Sequence, residues 1–472
     1  MSRIHAFRDD ALADHDAVGL THALHAGEVS VPEVVEAAIA RTSAVDPELG
    51  AVAFEAFDRA RAEARDPRGG FFAGVPTFVK DNSDVAGMPS MHGTDAWDPH
   101  PATRDGDFAR MFLATGLVPL GKTRMSEYGF SASAEHPRQG PVRNPWDPAY
   151  TAGASSSGSA ALVAAGAVPI AHANDGGGSI RIPAAANGLV GLKPTRDRLA
   201  QDKLFTQMPL RIVADGVVTR SVRDTAAFLR EAEKVWRNPA LAPVGDVTRP
   251  GRRRLRIALV TQSVGRPTSP EVVEQVRAVA GLLEDLGHRV SEVEAPVTEQ
   301  FVDDFLVYWS LLSSATVLTG RHDHGRSFDR TRLDNLTIGL DRHFKTNLRR
   351  FPGALRRLRA LARSNAEFHA QHDVVLSPTL ATATPRIGVL DPTQPFETIM
   401  DRLLDWVAFT PLQNANGAPS MSLPLTTSSN GMPLGTMFSA DAGREAVLLE
   451  LGLELEEALG LIAPISSPAV AG

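Results

Sequence analysis

Two windows of the chain carry residue types at a spacing that suits acyl-transfer chemistry. One is Gly153-Ala154-Ser155-Ser156-Ser157-Gly158-Ser159-Ala160, and the other is Asp175-Gly176-Gly177-Gly178-Ser179-Ile180-Arg181-Ile182-Pro183. The glycines of the second window let backbone amides converge on one point beside Ser179. Converging amides next to a serine are what an oxyanion hole requires, because the charge of a tetrahedral intermediate must be met by preorganised donors. The same residues also read as a glycine turn in which Ser179 starts a helix over Ile180 to Asn187, and this window alone leaves both readings open.

Other motifs carry less. Gly116 to Thr123 matches the phosphate-loop pattern G-x-x-x-x-G-K-[ST] letter for letter. Its interior, Leu117-Val118-Pro119-Leu120, is apolar and contains a proline with no amide to donate, so a helix over Asp107 to Ala114 followed by a strand from Val118 to Gly121 fits better. His322 and His324 lack metal-ligand spacing and read as surface histidines, so no metal is expected. Neither a G-x-S-x-G elbow nor an S-x-x-K motif of the penicillin-recognising type is present.

Composition narrows the chemistry further. The 472 residues include no cysteine, which excludes disulfides, thiolate nucleophiles and sulfur-ligated zinc. Lysine occurs six times, at 80, 122, 193, 203, 234 and 345, so 42 of the 48 basic residues are arginine. A net charge of −7 argues against a dedicated nucleic-acid binder. The arginines at 252, 253, 254 and 256 run into an apolar stretch and read as a solvated strand entrance. The N-terminus has acids where a signal peptide needs basic residues, and no uninterrupted apolar run approaches membrane-spanning length, so a cytoplasmic protein without a membrane partner is expected.

The elements that must position these windows are legible in outline. Ser30, Pro32 and Glu33 form a capping box that predicts a helix over about 31 to 45. Leu255 to Thr261 reads as a strand, Ser269 caps a helix ending near Gly287, and Arg289 to Val293 reads as a second strand. That βαβ-like unit implies an α/β fold with a mostly parallel sheet and helices on both faces. Ser221 caps another helix to Glu233. Small residues from Gly158 to Gly166 suit a tightly packed helix, and Val168 to Ala173 a strand. Residues 236 to 252 read as a surface connection, and 300 to 370 as several helices forming a structural layer over the sheet.

At this point the chain resembles the amidase signature family of serine hydrolases. The family's GGSSGGSA stretch appears as Gly153 to Ala160, its D-x-GGS-[IV]-R-x-P as Asp175 to Pro183, and its GLKPT as Gly191 to Thr195. The step of 24 residues from Ser155 to Ser179 matches the family interval. Gly74 to Asp81 matches the lysine motif, and Gly116 to Thr123 with Glu127 matches LGKTNMxEF, which accounts for the false phosphate loop. Asn144 to Pro148, Thr219 to Asp224, Asp373 to Thr379 and Asn416 to Pro419 extend the likeness over most of the chain.

The resemblance implies a single amidase-signature domain with a mixed, twisted central sheet covered by helices on both faces. Within it, residues 1–68 form an N-terminal helical layer, 69–230 the signature core and 300–370 a helical layer. It implies Ser179 as nucleophile, Ser155 as proton relay and Lys80 as general base, with Gly176, Gly177 and Gly178 and the Ser179 amide holding the oxyanion and Ser156, Asp175 and Arg181 in support. A lysine must be desolvated to accept a proton at neutral pH, and Val75, Phe78 and Val79 offer such burial. The peptide before the bridging serine is cis in the family, although here Ala154 replaces its glycine, Ser157 replaces another, and Asn174 stands where threonine is common.

No cofactor is implied. The partner is a small-molecule amide, ester or carbamate, and a homodimer is compatible. The Ala171 to Asp175 stretch is similar to members that open cyclic oligoamides or cleave carbamates (urethanes), which points to small or medium, largely apolar amides. Met125, Tyr128 and Phe130 are candidates to line the acyl pocket. No residue set singles out a tRNA role. The competing reading is a catalytically silent binding or assembly protein of the same fold, distinguished by failure to react with a fluorophosphonate.

Overall fold

The computed structural model describes residues 3–459, 461 and 465. Ser30 caps helix α1 (Val31–Leu49) as its spacing predicts: its Oγ accepts from the Glu33 amide, and the Glu33 carboxylate accepts from the Ser30 amide at 2.9 Å. The buried stripe Val34, Val35, Ala38 and Ile39 continues past residue 45, so the helix runs on until Gly50 turns left-handed. The N-terminal layer is not purely helical. Strand β1 (Val52–Glu55) leaves it to join a small sheet with β2 (Pro76–Lys80) and β3 (Val118–Thr123), in the order β1-β3-β2. Helix α2 (Asp107–Leu113) precedes β3, whose residues are all buried. The phosphate-loop match is therefore a core strand, and Lys122 donates from it to Ser90 Oγ at 2.9 Å.

The signature core supplies helix α3 (Ser157–Ala164), strand β4 (Ile170–Asp175), helix α4 (Arg181–Asn187), strands β5 (Val190–Lys193) and β6 (Ala214–Thr219), and helix α5 (Val222–Val235). Residues 236–252 contain no helix or strand, as expected of a connection. Next come β7 (Arg256–Leu259), α6 (Pro270–Asp285) and β8 (Arg289–Glu292), then α7 (Glu299–His324), α8 (Asn335–Asn347), α9 (Phe351–His369), β9 (Val374–Pro378), α10 (Phe396–Trp406), β10 (Ser420–Thr427) and β11 (Pro433–Ser439).

The main sheet has eight strands in the order β8-β7-β9-β11-β10-β5-β6-β4. The expected βαβ unit forms, with β7 parallel to both β8 and β9. Its extension to a mostly parallel sheet does not hold. The other five neighbouring pairs are antiparallel, because β10 and β11 return through a short turn, and β6, reached from β5 through a connection with one short helix, runs back between β5 and β4, which point the same way. The sheet is mixed, and helices cover both faces. A methyl on Gly435 would collide with Ala185 of α4, whereas Met421 of the neighbouring strand reaches Gly452 of the helix Glu445–Leu459. Met421 points to the face opposite its neighbour Ser422, and it is Ser422 that lies on the Gly435 and Ala185 side.

The two sheets meet where the chemistry sits. Thr77 Oγ1 on β2 donates to the Ile170 carbonyl on β4 at 2.9 Å, which sets the start of β2 beside the start of β4, and at the other end Lys80 reaches Asn174. Helix α7 is long and apolar enough, by length and composition alone, to cross a membrane, with a mean hydropathy of 1.3. Here it packs on α8 and α9, and its Phe301, Phe305 and Trp309 face a cleft in the protein.

Candidate active site

Lys80 ends β2 and is fully buried. Its Nζ lies 2.7 Å from Ser155 Oγ and donates to Asn174 Oδ1 at 2.6 Å. Asn174 is held in turn by Asn82, whose Oδ1 accepts from Asn174 Nδ2 at 3.1 Å. Burial pulls the Lys80 ammonium down to about 7, against the opposing pull of Asp215 and Asp175. The Ala154–Ser155 peptide is cis, as the resemblance implied even with alanine in place of glycine.

Ser179 follows β4 across the glycine turn and is 6% exposed, with its side chain at the cleft. Asp175 organises that turn. One of its oxygens accepts from the Gly178 amide at 2.7 Å and from Arg181 Nη2 at 2.9 Å, and the other accepts from the Ile180 amide at 3.1 Å and Arg181 Nε at 2.9 Å. Burial alone would raise the Asp175 carboxyl, but Arg181 and the Asn414 amide hold it at about 2. The Gly178 amide is thus committed to Asp175, which narrows the expected oxyanion set. Gly176, Gly177 and Ser179 remain as the amides of this turn that do not bond that carboxylate. Ser156 Oγ donates to the Asn174 carbonyl at 3.3 Å and so braces the end of β4.

Several side chains at the site lie outside the motif windows. Asn414 Nδ2 donates to Asp175 Oδ1, to its carbonyl and to Ile212 O, and Asn414 Oδ1 accepts from Arg181 at 2.7 Å. Thr410 Oγ1 donates to the Gly177 carbonyl at 2.6 Å. Asn414 lies two residues before the Asn416 to Pro419 match, so that motif was the available signal. Thr410 had none.

The cleft has about 820 Å³ of free space, counting the part open to solvent. Gly129, Phe130 and Ala154 line it beside Ser179; Met125 and Tyr128 do not. Tyr128 instead packs with Trp97 and His92 at centroid distances of 5.9 and 6.0 Å. Phe305, Leu306 and Trp309 of α7 with Met400, Leu403 and Leu404 of α10 complete the lining, and Trp309 and Phe305 abut the glycine turn, 3.6 and 3.8 Å from where a methyl on Gly177 would stand. The 300–370 layer is therefore part of the cleft wall, a correction to its reading as plain structure. Arg266 is the charged residue of this lining among the described residues, and Asp401 and Asp405 pair with it at 2.7 Å each. Of the two histidines, His322 is exposed, but His324 is partly buried and stacks on Trp97 at 3.6 Å.

Comparison with known proteins gives the same assignment. The amidase family model matches residues 33–449. A Mycobacterium leprae protein named "Putative amidase AmiC" is 63% identical over 459 residues, covering 97% of this chain and 98% of that protein. The structure of a 6-aminohexanoate cyclic dimer hydrolase complexed with substrate superposes with a TM-score of 0.85 at 31% identity, over 95% of this chain and 98% of that one. A bacterial aryl acylamidase structure superposes with a TM-score of 0.84 at 26% identity, over 96% of this chain and 99% of that one. On the strength of that family match, the near full-length relative and the shared fold, the chain belongs to the amidase signature family.

Proposed function

We propose that the protein hydrolyses the C–N bond of apolar amides through an acyl-enzyme on Ser179. The observation that carries this reading is the contact of 2.7 Å between Lys80 Nζ and Ser155 Oγ, made by a buried lysine whose ammonium is pulled down to about 7. A neutral Lys80 accepts the Ser155 proton while Ser155 accepts that of Ser179, so the Ser179 oxygen attacks the carbonyl carbon as it loses its proton. The amides of Gly176, Gly177 and Ser179 receive the oxyanion. Collapse breaks the C–N bond, and the proton returns along the relay to the departing amine. Water, deprotonated by the same relay, then releases the acid. Ester and carbamate carbonyls enter the same path.

The apolar lining supports a substrate with a large apolar acyl group, since six apolar side chains of α7 and α10 share the cleft with Ser179 and the charge of Arg266 is already paired. The cyclic-dimer hydrolase and aryl acylamidase likenesses point to bulky or aromatic amides of the same kind. The test is a panel of aryl amides, esters and carbamates with wild type, Ser179→Ala and Lys80→Ala, together with fluorophosphonate labelling. Labelling of wild type and loss of turnover in both variants are expected. Full activity in either variant would remove the mechanism.

A further inference from the structure

Behind Lys80, on the side away from Ser155, lies a second buried polar pair. The Lys80 backbone N–H donates to His172 Nδ1 at 3.2 Å. A ring nitrogen that accepts carries no proton, so the neutral ring has its proton on Nε2, which faces Asp215 Oδ1 at 3.0 Å and donates to it. His172 is fully buried and packs on the Phe108 ring at 4.4 Å. Burial, followed by the Lys80 charge, holds its imidazole well below the usual range and hence neutral.

Asp215 sits on β6 opposite Asn174 of β4 and is 1% exposed. Its Oδ2 makes no well-formed hydrogen bond among the described residues, although burial raises the carboxyl to about 7 against the side chains of Asn174 and Gln201, which stand close enough to hold it down. A buried carboxylate oxygen without a well-formed bond is costly, and an apolar residue in that place would remove the cost. What such an oxygen offers is a field for a nearby cation, and the cation that forms and disappears beside it is the Lys80 ammonium. The groups that face this corner are His172, Asn174 and Asp175 from β4, Asp215 from β6, Lys122 from β3 and Asp202 from the loop ahead of Lys203.

We propose that His172 and Asp215 are positioning residues for the base: Asp215 sets the His172 tautomer, His172 anchors the end of β2 through the Lys80 amide, and the Asp215 carboxylate, when ionised, steadies the Lys80 ammonium during acylation. The inference rests on Lys80 being the base. No bond is made or broken by the pair, and the proton remains with Lys80, Ser155 and Ser179.

The experiment measures kcat, KM and the pH dependence of fluorophosphonate labelling in wild type, Asp215→Asn, His172→Phe and His172→Asn. Asparagine keeps the size of Asp215 and an oxygen for His172, so folding is expected to survive. Its kcat should fall by about tenfold with KM held, because the amide keeps the bond to His172 and loses only the charge that faces the Lys80 ammonium. Asp215, whose carboxyl burial raises to about 7, is only partly ionised where Lys80 gives up its proton; removing that charge lets Lys80 lose its proton more easily, and the acid limb of labelling should move to lower pH. His172→Phe keeps the ring against Phe108 but cannot accept, so its kcat should fall at unchanged KM. His172→Asn, whose Oδ1 can stand near the place of Nδ1, should recover part of that loss. An unmoved acid limb with unchanged kcat in Asp215→Asn, or a His172→Phe enzyme altered only in thermal stability, would overturn the proposal. Failure of wild type to label, or full turnover in Ser179→Ala, would instead overturn the underlying reading of the site, and with it this inference.

Discussion

Asp175 and Arg181 meet in a two-pronged ion pair, with Nη2 and Nε each 2.9 Å from a carboxylate oxygen and both side chains fully buried. The pair ties the end of β4 to the start of α4 across the glycine turn that carries Ser179. Removing one partner leaves the other as an uncompensated buried charge. Arg181→Met should therefore destabilise the protein by about 3–5 kcal/mol in urea unfolding and abolish labelling of Ser179. Wild-type stability in that variant would show that the turn is held by other means.

Lys80 gives a pH prediction for activity. Its ammonium is lowered from 10.5 to about 7, so in the proposed role of base it is protonated below that value. Acylation should rise through an apparent value near 7 and stay high above it. A limb near 10 would mean that burial does not tune this lysine.

The same shift predicts a pH dependence of stability. Between pH 7 and 10.5 the unfolded chain holds the Lys80 proton and the folded protein does not, so this lysine's contribution favours folding increasingly as pH rises and opposes it at lower pH. Lys80→Met should consequently raise Tm more at pH 6 than at pH 9 while abolishing turnover. An equal change in Tm at both pH values would contradict the assignment.

Gly178 has φ +136° and leaves no room for a side chain, since a methyl there would stand 2.3 Å from Thr410 Oγ1. Gly178→Ala should cost about 1–3 kcal/mol of stability through strain and displace Thr410 from the Gly177 carbonyl. The expected signature is a fall in kcat larger than any change in KM.

Trp309 stacks on Phe305 at 5.8 Å and meets Phe130 edge-on at 5.7 Å, so it shapes the cleft wall beside the glycine turn of Ser179. Trp309→Ala should shift the ratio of kcat/KM for long against short acyl chains about tenfold toward the longer ones. Identical chain-length profiles would place the acyl group elsewhere.

The residues with intrinsic chemistry were legible in the chain itself. The family resemblance carried by the fixed windows named Ser155, Ser179 and Lys80 as candidates, whereas the glycine window alone left Ser179 open between a nucleophile and a helix start. The scarcity of lysine was informative too: Lys80, Lys122 and Lys193, the three inside motifs, are buried, whereas Lys203, Lys234 and Lys345 are exposed or paired at the surface. Capping boxes and periodicity marked α1, α5 and α6, because those signals act within a few residues.

Tertiary structure alone decided the rest. Strand direction in the main sheet depends on which distant strands pair, and no local pattern in β10 or β11 records that β11 lies between β9 and β10. Part of the cleft wall comes from α7 and α10, apolar helices whose spacing is equally that of a core, so only their placement around the cleft that holds Ser179 sets them apart from one. The basicity of Lys80 is likewise a property of its surroundings: the chain specifies a lysine, and only burial among Ser155, Asn174, His172 and Asp215 makes that lysine fit to take a proton near neutral pH.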